Sequence, residues 1–321
     1  MVTALPVRVE AVTGRLDPDP GPPVTRRSRR LGAAKESLTA WAFLTPTLVV
    51  VALFTVIPVI AALAFSFTDV GLRDLRDPLG VDVVGFDNFA AVLAAPDFQR
   101  SVLNTALFVV IGVPATMACG LALAILLNTG IRRLRPVFRA AIYLPVIANI
   151  VAASIIWKYA LSLDGPINEA LSSIGLAGPN WLGDPAWGVT SVMLLTVWRN
   201  VGTAMVLFLA GLQAIPEEVY EAAAIDGAGA WRRIVHMTLP LLRPTTLLVS
   251  VLITVMYMNI FEEPYLLTGG GPLGSTRSIS LWVYQQFGFG NIAASMAGSF
   301  VLILLVAVVS VVQFRILRPK H

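Results

Sequence analysis

Arg199 stands inside an apolar run with Trp198 and Asn200 beside it, and Tyr257, Asn259, Glu262 and Glu263 fall late in another such run. Charged and amide side chains are costly in apolar surroundings, so each marks a place where a polar partner has to be met. Several chemistries suit these residue types. Amides and carboxylates beside the rings of Tyr257, Phe261 and Tyr265 fit a neutral sugar, whose hydroxyls need paired polar groups while its apolar faces need packing. Arg199 is equally a counter-charge for an anionic solute, although the nearby glutamates work against a strongly anionic one. Arg199 and the glutamates could also relay protons, or pair with one another to assemble helices, with the aromatics as packing.

The common catalytic centres are hard to assemble from the remaining residues. His236 and His321 are the only histidines and Cys119 the only cysteine, so no intramolecular disulfide and no histidine or thiolate metal cluster is expected. Cys119 lies in an apolar run and reads as packing. A phosphate-cradling P-loop needs glycine directly before its lysine, whereas Lys35, Lys158 and Lys320 follow Ala34, Trp157 and Pro319. No His-Glu-x-x-His metal motif is present either. The chain therefore reads as no enzyme, binding no cofactor of its own and hydrolysing no ATP by that device.

Elements long enough to cross a bilayer must position these residues. The chain is 56% hydrophobic and 13% charged, against about a quarter charged in an ordinary soluble domain. Its apolar residues fall in blocks of roughly 20 or more, the length that crosses about 30 Å of hydrocarbon. Six spans are expected, near 38–67, 102–127, 140–161, 189–209, 245–267 and 293–316, with Pro46, Pro58, Pro114 and Pro145 as kinks. Residues 1–36, rich in Pro, Arg, Gly and Asp, are expected to be a disordered cytoplasmic tail, and 37–321 the membrane domain. The basic residues before the first span resemble a signal peptide, but the span is too long and lacks a small-x-small cleavage site, so it is read as uncleaved.

Charge placement supports an even count. Arg26, Arg27, Arg29, Arg30 and Lys35, then Arg132, Arg133, Arg135 and Arg139, then Arg232, Arg233 and Arg243, then Arg315, Arg318 and Lys320 share one side if there are six spans. The positive-inside rule makes that side, and both termini, cytoplasmic. The opposite loops are mainly acidic, from Asp69, Asp74, Asp77 and Asp82 to Asp164, Glu169 and Asp184, with Trp181 and Trp187 suited to the interface. The net charge of +4 is scattered between apolar blocks, which argues for lipid and against nucleic acid as its partner. No inverted pair of broken helices of the kind found in many ion-coupled carriers is evident.

Between the fourth and fifth spans, within about 211–243, the segment from Pro216 reads as helix, stop, helix. Pro216 suits the first helical position, Glu217 and Glu218 the positive helix end, and Gly227 the glycine that ends a helix. A second helix from about Ala230 is expected to stop before Pro240, with Trp231, Ile234 and Val235 on one face. Such an elbow fits a groove on a partner protein or the plane of the headgroups equally well.

The segment resembles the EAA loop of permease subunits of ATP-binding cassette (ABC) importers, in which Glu-Ala-Ala is followed by three residues, Gly, nine residues and Ile-x-Leu-Pro. Glu221, Ala222, Ala223, Gly227, Leu239 and Pro240 match at that spacing, with Met237 in place of the usual Ile. Pro58, Ser66-Phe67-Thr68, Gly85-Phe86-Asp87-Asn88-Phe89, Asn104-Thr105, Asp226-Gly227-Ala228 and Thr268-Gly269-Gly270-Gly271-Pro272 resemble the carbohydrate, maltose-type branch, from about residue 38 to the C-terminus.

The resemblance implies an all-α membrane protein of the type I ABC importer permease architecture in the bacterial cytoplasmic (inner) membrane. It implies alternating-access import of a sugar, oligosaccharide or sugar-like solute. The expected partners are a second, similar permease, two copies of an ATPase that binds ATP and Mg, and an extracytoplasmic solute-binding protein. Glu221, Ala222, Ala223, Asp226, Gly227, Trp231, Leu239 and Pro240 would couple to the ATPase; Trp198, Arg199, Asn200, Tyr257, Asn259 and Glu262 would line the solute path. An ion-coupled secondary transporter is the alternative, followed by an amino-acid or peptide permease of the same ABC class.

Overall fold

Three prolines reveal how the chain keeps long helices going where an ordinary helix would break. The computed structural model describes residues 40–74, 80–129 and 134–317. The tail drawn at 1–36 lies outside them, as do Asp77, Arg132, Arg133, Arg318 and Lys320. Packing divides the chain into two units, Met1–Ile60 and Ala61–His321. The boundary falls within helix α1 (Ala40–Phe65). In the first unit a π-helical turn, Ala52–Val56, precedes Pro58, and the Ile57 N–H bonds to the Ala52 carbonyl. The second unit repeats this device at Phe108–Gly112 before Pro114 and at Ile234–Thr238 before Pro240. Proline has no N–H and its ring collides with the carbonyl four residues back. The wider turn moves the bonding to the fifth residue, as in Leu239 N–H to the Ile234 carbonyl.

The second unit contains α2 (Asp87–Ala94), α3 (Pro96–Thr129), α4 (Arg135–Ile147), α5 (Ile150–Ala160), α6 (Pro166–Ser173), α7 (Pro185–Gln213) and α8 (Glu217–Ile225). It continues with α9 (Ala230–Leu241), α10 (Arg243–Met258), α11 (Glu262–Thr268), α12 (Ile279–Gly288) and α13 (Ile292–Leu317). Thr68 and Val83 form a lone antiparallel bridge, and no strand is present among the described residues. α1, α3, α7 and α13 are each long and apolar enough to cross a membrane. α4 with α5, and α9 with α10, meet the same test only as pairs bent by 95° and 69°.

The third and fifth expected spans therefore need correction. Residues 140–161 are not one helix, because Ala148 and Asn149 are extended and the Asn149 side chain accepts hydrogen bonds from the Val151 and Ala152 N–H groups at 2.9 and 3.2 Å. Asn149 is thus an N-cap that starts a new helix in a new direction. Residues 245–267 are interrupted as well, since α10 ends at Met258 and α11 begins at Glu262.

α7 is the central element of this unit, packing against α3, α4, α10 and α11. Leu195, Ala204, Met205 and Phe208 of α7 meet Phe108 and Ala124 of α3 and Val249 and Ile253 of α10 in one buried cluster. A second cluster joins Phe98, Trp282 and Ala297, with the Phe98 and Trp282 rings edge to face at 4.8 Å. Asn88 donates to the Ser66 and Thr68 carbonyls, and Asn104 to those of Gly274 and Arg277. The motifs quoted for family likeness at those positions thus serve to pin loops to helices.

Small residues set the closest helix approaches. A Cβ on Gly202 would lie 2.7 Å from the Ile142 carbonyl oxygen and 3.1 Å from the Tyr143 Cα, both backbone atoms of α4. Gly202→Ala is expected to cost about 1–3 kcal/mol through overpacking. Thermal unfolding in detergent measures this, and an unchanged midpoint would mean that α4 yields without cost.

Candidate functional site

The chain between α7 and α10 builds an elbow whose parts follow from local rules. Glu217 and Glu218 open α8 at its positive end. Pro216 is the N-cap and not the first helical residue, a correction of one position, since its ψ of 138° is extended. At the other end the Ala228 N–H bonds to the Ala223 carbonyl at 2.9 Å and the Gly227 N–H to that of Ala224 at 3.1 Å, with Gly227 at φ +73°. This is a Schellman stop, which favours glycine at that position.

α9 then starts at Ala230 and, contrary to the expected stop, runs past Pro240 by way of its π turn. It ends at Leu241, and after Leu242 the Pro244 in the first turn of α10 cannot donate back into α9. The elbow has two sides. Ala223 is buried, and the Tyr220 hydroxyl lies 3.2 Å from the Thr238 hydroxyl. Glu221, Ala222, Asp226 and Pro240 are exposed, as are Ile225 at 87%, Trp231 at 77% and Leu239. Large apolar side chains that exposed on an otherwise polar turn are characteristic of a surface that meets a partner.

At the root of the elbow lies an open cavity of about 880 Å³, lined by Asn128, Arg135, Gln213, Glu217, Tyr220 and Arg233 among others. Arg135 donates from Nε to the Leu127 carbonyl and from Nη2 to the Asn128 carbonyl, closing the C-terminal end of α3.

The polar residues of the apolar runs converge on a second, smaller cleft of about 310 Å³. Its lining comes from Val146 just before the α4–α5 break, from Thr196, Arg199 and Asn200 of α7, and from Met256 and the stretch from Asn259 to Glu263 at the α10–α11 junction. Arg199 Nη1 donates to Glu262 Oε2 at 2.7 Å and to Glu263 Oε1 at 2.9 Å. Glu263 is buried, whereas the Glu262 side chain is about half exposed, at 46%. Asn200 is buried and donates to the Thr196 carbonyl; Asn259 caps α10 and donates to the Val255 carbonyl. Phe261, which lines the cleft, stacks on Tyr265 at 5.3 Å, and both meet Tyr284 edge to face.

Two of the sequence candidates lie elsewhere. Tyr257 is fully buried, its hydroxyl 2.7 Å from that of Thr116, and its ring fills space left by Gly112, where a Cβ would overlap it. It belongs to the core and not to the cleft, because the face of α10 that carries it packs on α3. Trp198 packs on Trp157 of α5 with ring centroids 5.7 Å apart and does not line the cleft. Sequence reasoning missed Val146 and Thr196; the N-cap signal of Asn149 was the one clue that a helix break lies beside them.

The family described as "Binding-protein-dependent transport system inner membrane component" matches residues 89–320. The lactose transport system permease protein LacF of Rhizobium radiobacter is 33% identical over 290 residues, covering 88% of this chain and 95% of that protein. The sulfoquinovosyl glycerol transport system permease protein SmoG of Agrobacterium fabrum is 31% identical over 287 residues, covering 89% and 92%. In fold, the chain is similar to a chain in the crystal structure of a bacterial ABC transporter involved in the import of alginate, with a TM-score of 0.71 at 24% identity, covering 90% of this chain and 98% of that one.

Proposed function

The chain belongs to the family of binding-protein-dependent transport system inner membrane components, and from that premise we propose that it is the permease subunit of an ABC importer that moves a sugar or oligosaccharide by alternating access. It is a transport subunit and not an enzyme, as its relatives are permease proteins. ATP and Mg act on a separate ATPase subunit, two copies of which sit beneath this chain and a second, similar permease. A solute-binding protein delivers solute from the other side. Counting each bent pair as one span gives six apolar segments, and an even number with basic flanks on one side supports cytoplasmic positions for both termini.

The elbow of 211–243 carries this reading. Its exposed Ile225 and Trp231 flank an Ala-rich helix that ends at Gly227, a shape suited to a groove on a partner. In the proposal, Glu221, Ala222, Ala223, Asp226, Gly227, Trp231, Leu239 and Pro240 form or shape the contact with the ATPase. Leu239 and Pro240 join that contact to α10, whose end at Asn259 borders the cleft, so ATPase closure is transmitted along α9 and α10. Arg199, Asn200, Asn259 and Glu262 form this chain's part of the solute path. The names of the relatives include lactose and sulfoquinovosyl glycerol, so the choice among saccharides rests with the cleft.

Mass spectrometry of proteins that co-purify with the tagged chain in mild detergent tests the assembly. Recovery of an ATPase and a second permease is expected. A chain that emerges alone from several detergents, and whose vesicles take up solute on an ion gradient, is an ion-coupled carrier instead.

A further inference from the structure

We propose that the cleft between α7 and α11 admits uncharged or cationic glycosides and turns away anionic ones, with Glu262 and Glu263 setting that choice. The inference rests on the reading of the chain as a saccharide permease. Among the described residues that line the cleft, the ionisable groups are Arg199, Glu262 and Glu263, one guanidinium against two carboxylates. Arg199 is thus already over-compensated, and an incoming carboxylate, sulfonate or phosphate meets the surplus negative charge. That charge is felt strongly, since Glu263 is buried and poorly screened by water or salt.

Neutral hydroxyls find a different surface. Arg199 uses one nitrogen, Nη1, for both carboxylates, and its Nε and Nη2 have no protein acceptor among the described residues. The Asn259 side chain is exposed at the cleft, its amide donating to Val255 while its oxygen stays open to a hydroxyl donor. Phe261, backed by Tyr265, adds an apolar face of the kind a pyranose ring packs on. The cleft thus offers donors, an acceptor and an aromatic wall to a polyol, and net repulsion to an anion.

Saturation-transfer NMR on the detergent-purified importer, without its binding protein, reads this choice directly. The probes are lactitol against lactobionate and maltitol against maltobionate, pairs that share an open-chain end and differ by a hydroxymethyl in place of a carboxylate. Each neutral probe is expected to bind at least about tenfold more tightly than its acid, the effect of one unit charge across several ångströms of protein. Glu262→Gln, which keeps the Arg199–Glu263 pair, should narrow that ratio by roughly tenfold, and Glu262→Gln with Glu263→Gln, which leaves Arg199 without a counter-charge, should turn it toward the acid. Comparing ratios removes any loss of binding common to both probes. Equal binding of acid and neutral probe by the parent complex overturns the proposal and leaves the saccharide reading intact. So does an unchanged ratio in a Glu262→Gln complex whose thermal unfolding matches the parent. If none of the four probes binds an intact complex that retains its ATPase, the cleft is not a disaccharide site and this inference falls.

Discussion

Glu221→Lys is expected to lower ATP-driven uptake roughly a hundredfold, about 3 kcal/mol of lost contact with the ATPase, while the protein inserts and unfolds as before. The fold has no stake in this side chain. Glu221 is exposed on the middle of α8 and makes no hydrogen bond or ion pair among the described residues. A lysine there would stand four residues after Glu217 and closer to the negative end of the helix, both of which favour it slightly, by about 0.3–0.5 kcal/mol. Any loss of transport would therefore come from the outward face. The same preparations give two controls, the unfolding midpoint in detergent and the amount of ATPase that co-purifies. A normal midpoint with reduced ATPase recovery is the expected pair of results. Normal uptake by the mutant would remove Glu221 from the coupling surface and leave the exposed Ile225 and Trp231 to be explained by lipid.

Periodicity and breakers made the long helices legible, and the same rules explain where the reading failed. Runs such as 189–209 appear as parts of single helices, because nothing in them competes with the backbone ladder. Pro114 and Pro240 were taken as a kink and a stop, yet both lie in helices that continue, each preceded by a π turn that absorbs the missing N–H. Proline dictates that a bond is lost, not how the chain recovers it. Asn149 is the opposite case. It lies inside the run expected as a single span at 140–161, yet it caps a helix turned by 95° from its predecessor. In the cleft, residue type singled out Arg199, Asn259 and Glu262, which are costly in apolar surroundings and so face one another. Type alone could not tell Tyr257 from them. A buried tyrosine is satisfied by one hydroxyl partner, Thr116, which lies 141 positions away in the chain and gave no local sign.

Arg199→Met should destabilise the protein by about 3 kcal/mol, chiefly through what it leaves behind. The guanidinium holds Glu262 and Glu263 to α7 from the start of α11, and the two carboxylates do not contribute equally. Glu262, half exposed, can turn to water and loses little, as exposed ion pairs generally do. Glu263 cannot, since it is buried and would face Glu262 with no cation between them. A second substitution separates this account from simple loss of packing. Adding Glu263→Gln to Arg199→Met removes the stranded charge and should recover most of the loss, whereas adding Glu262→Gln should recover much less. Thermal unfolding of the two double variants beside the single one decides the matter. If both second changes recover equally, the penalty is repulsion between the carboxylates and not burial of Glu263. If neither recovers anything, the aliphatic stem of Arg199 and its contacts along α7, and not its charge, hold α11 in place.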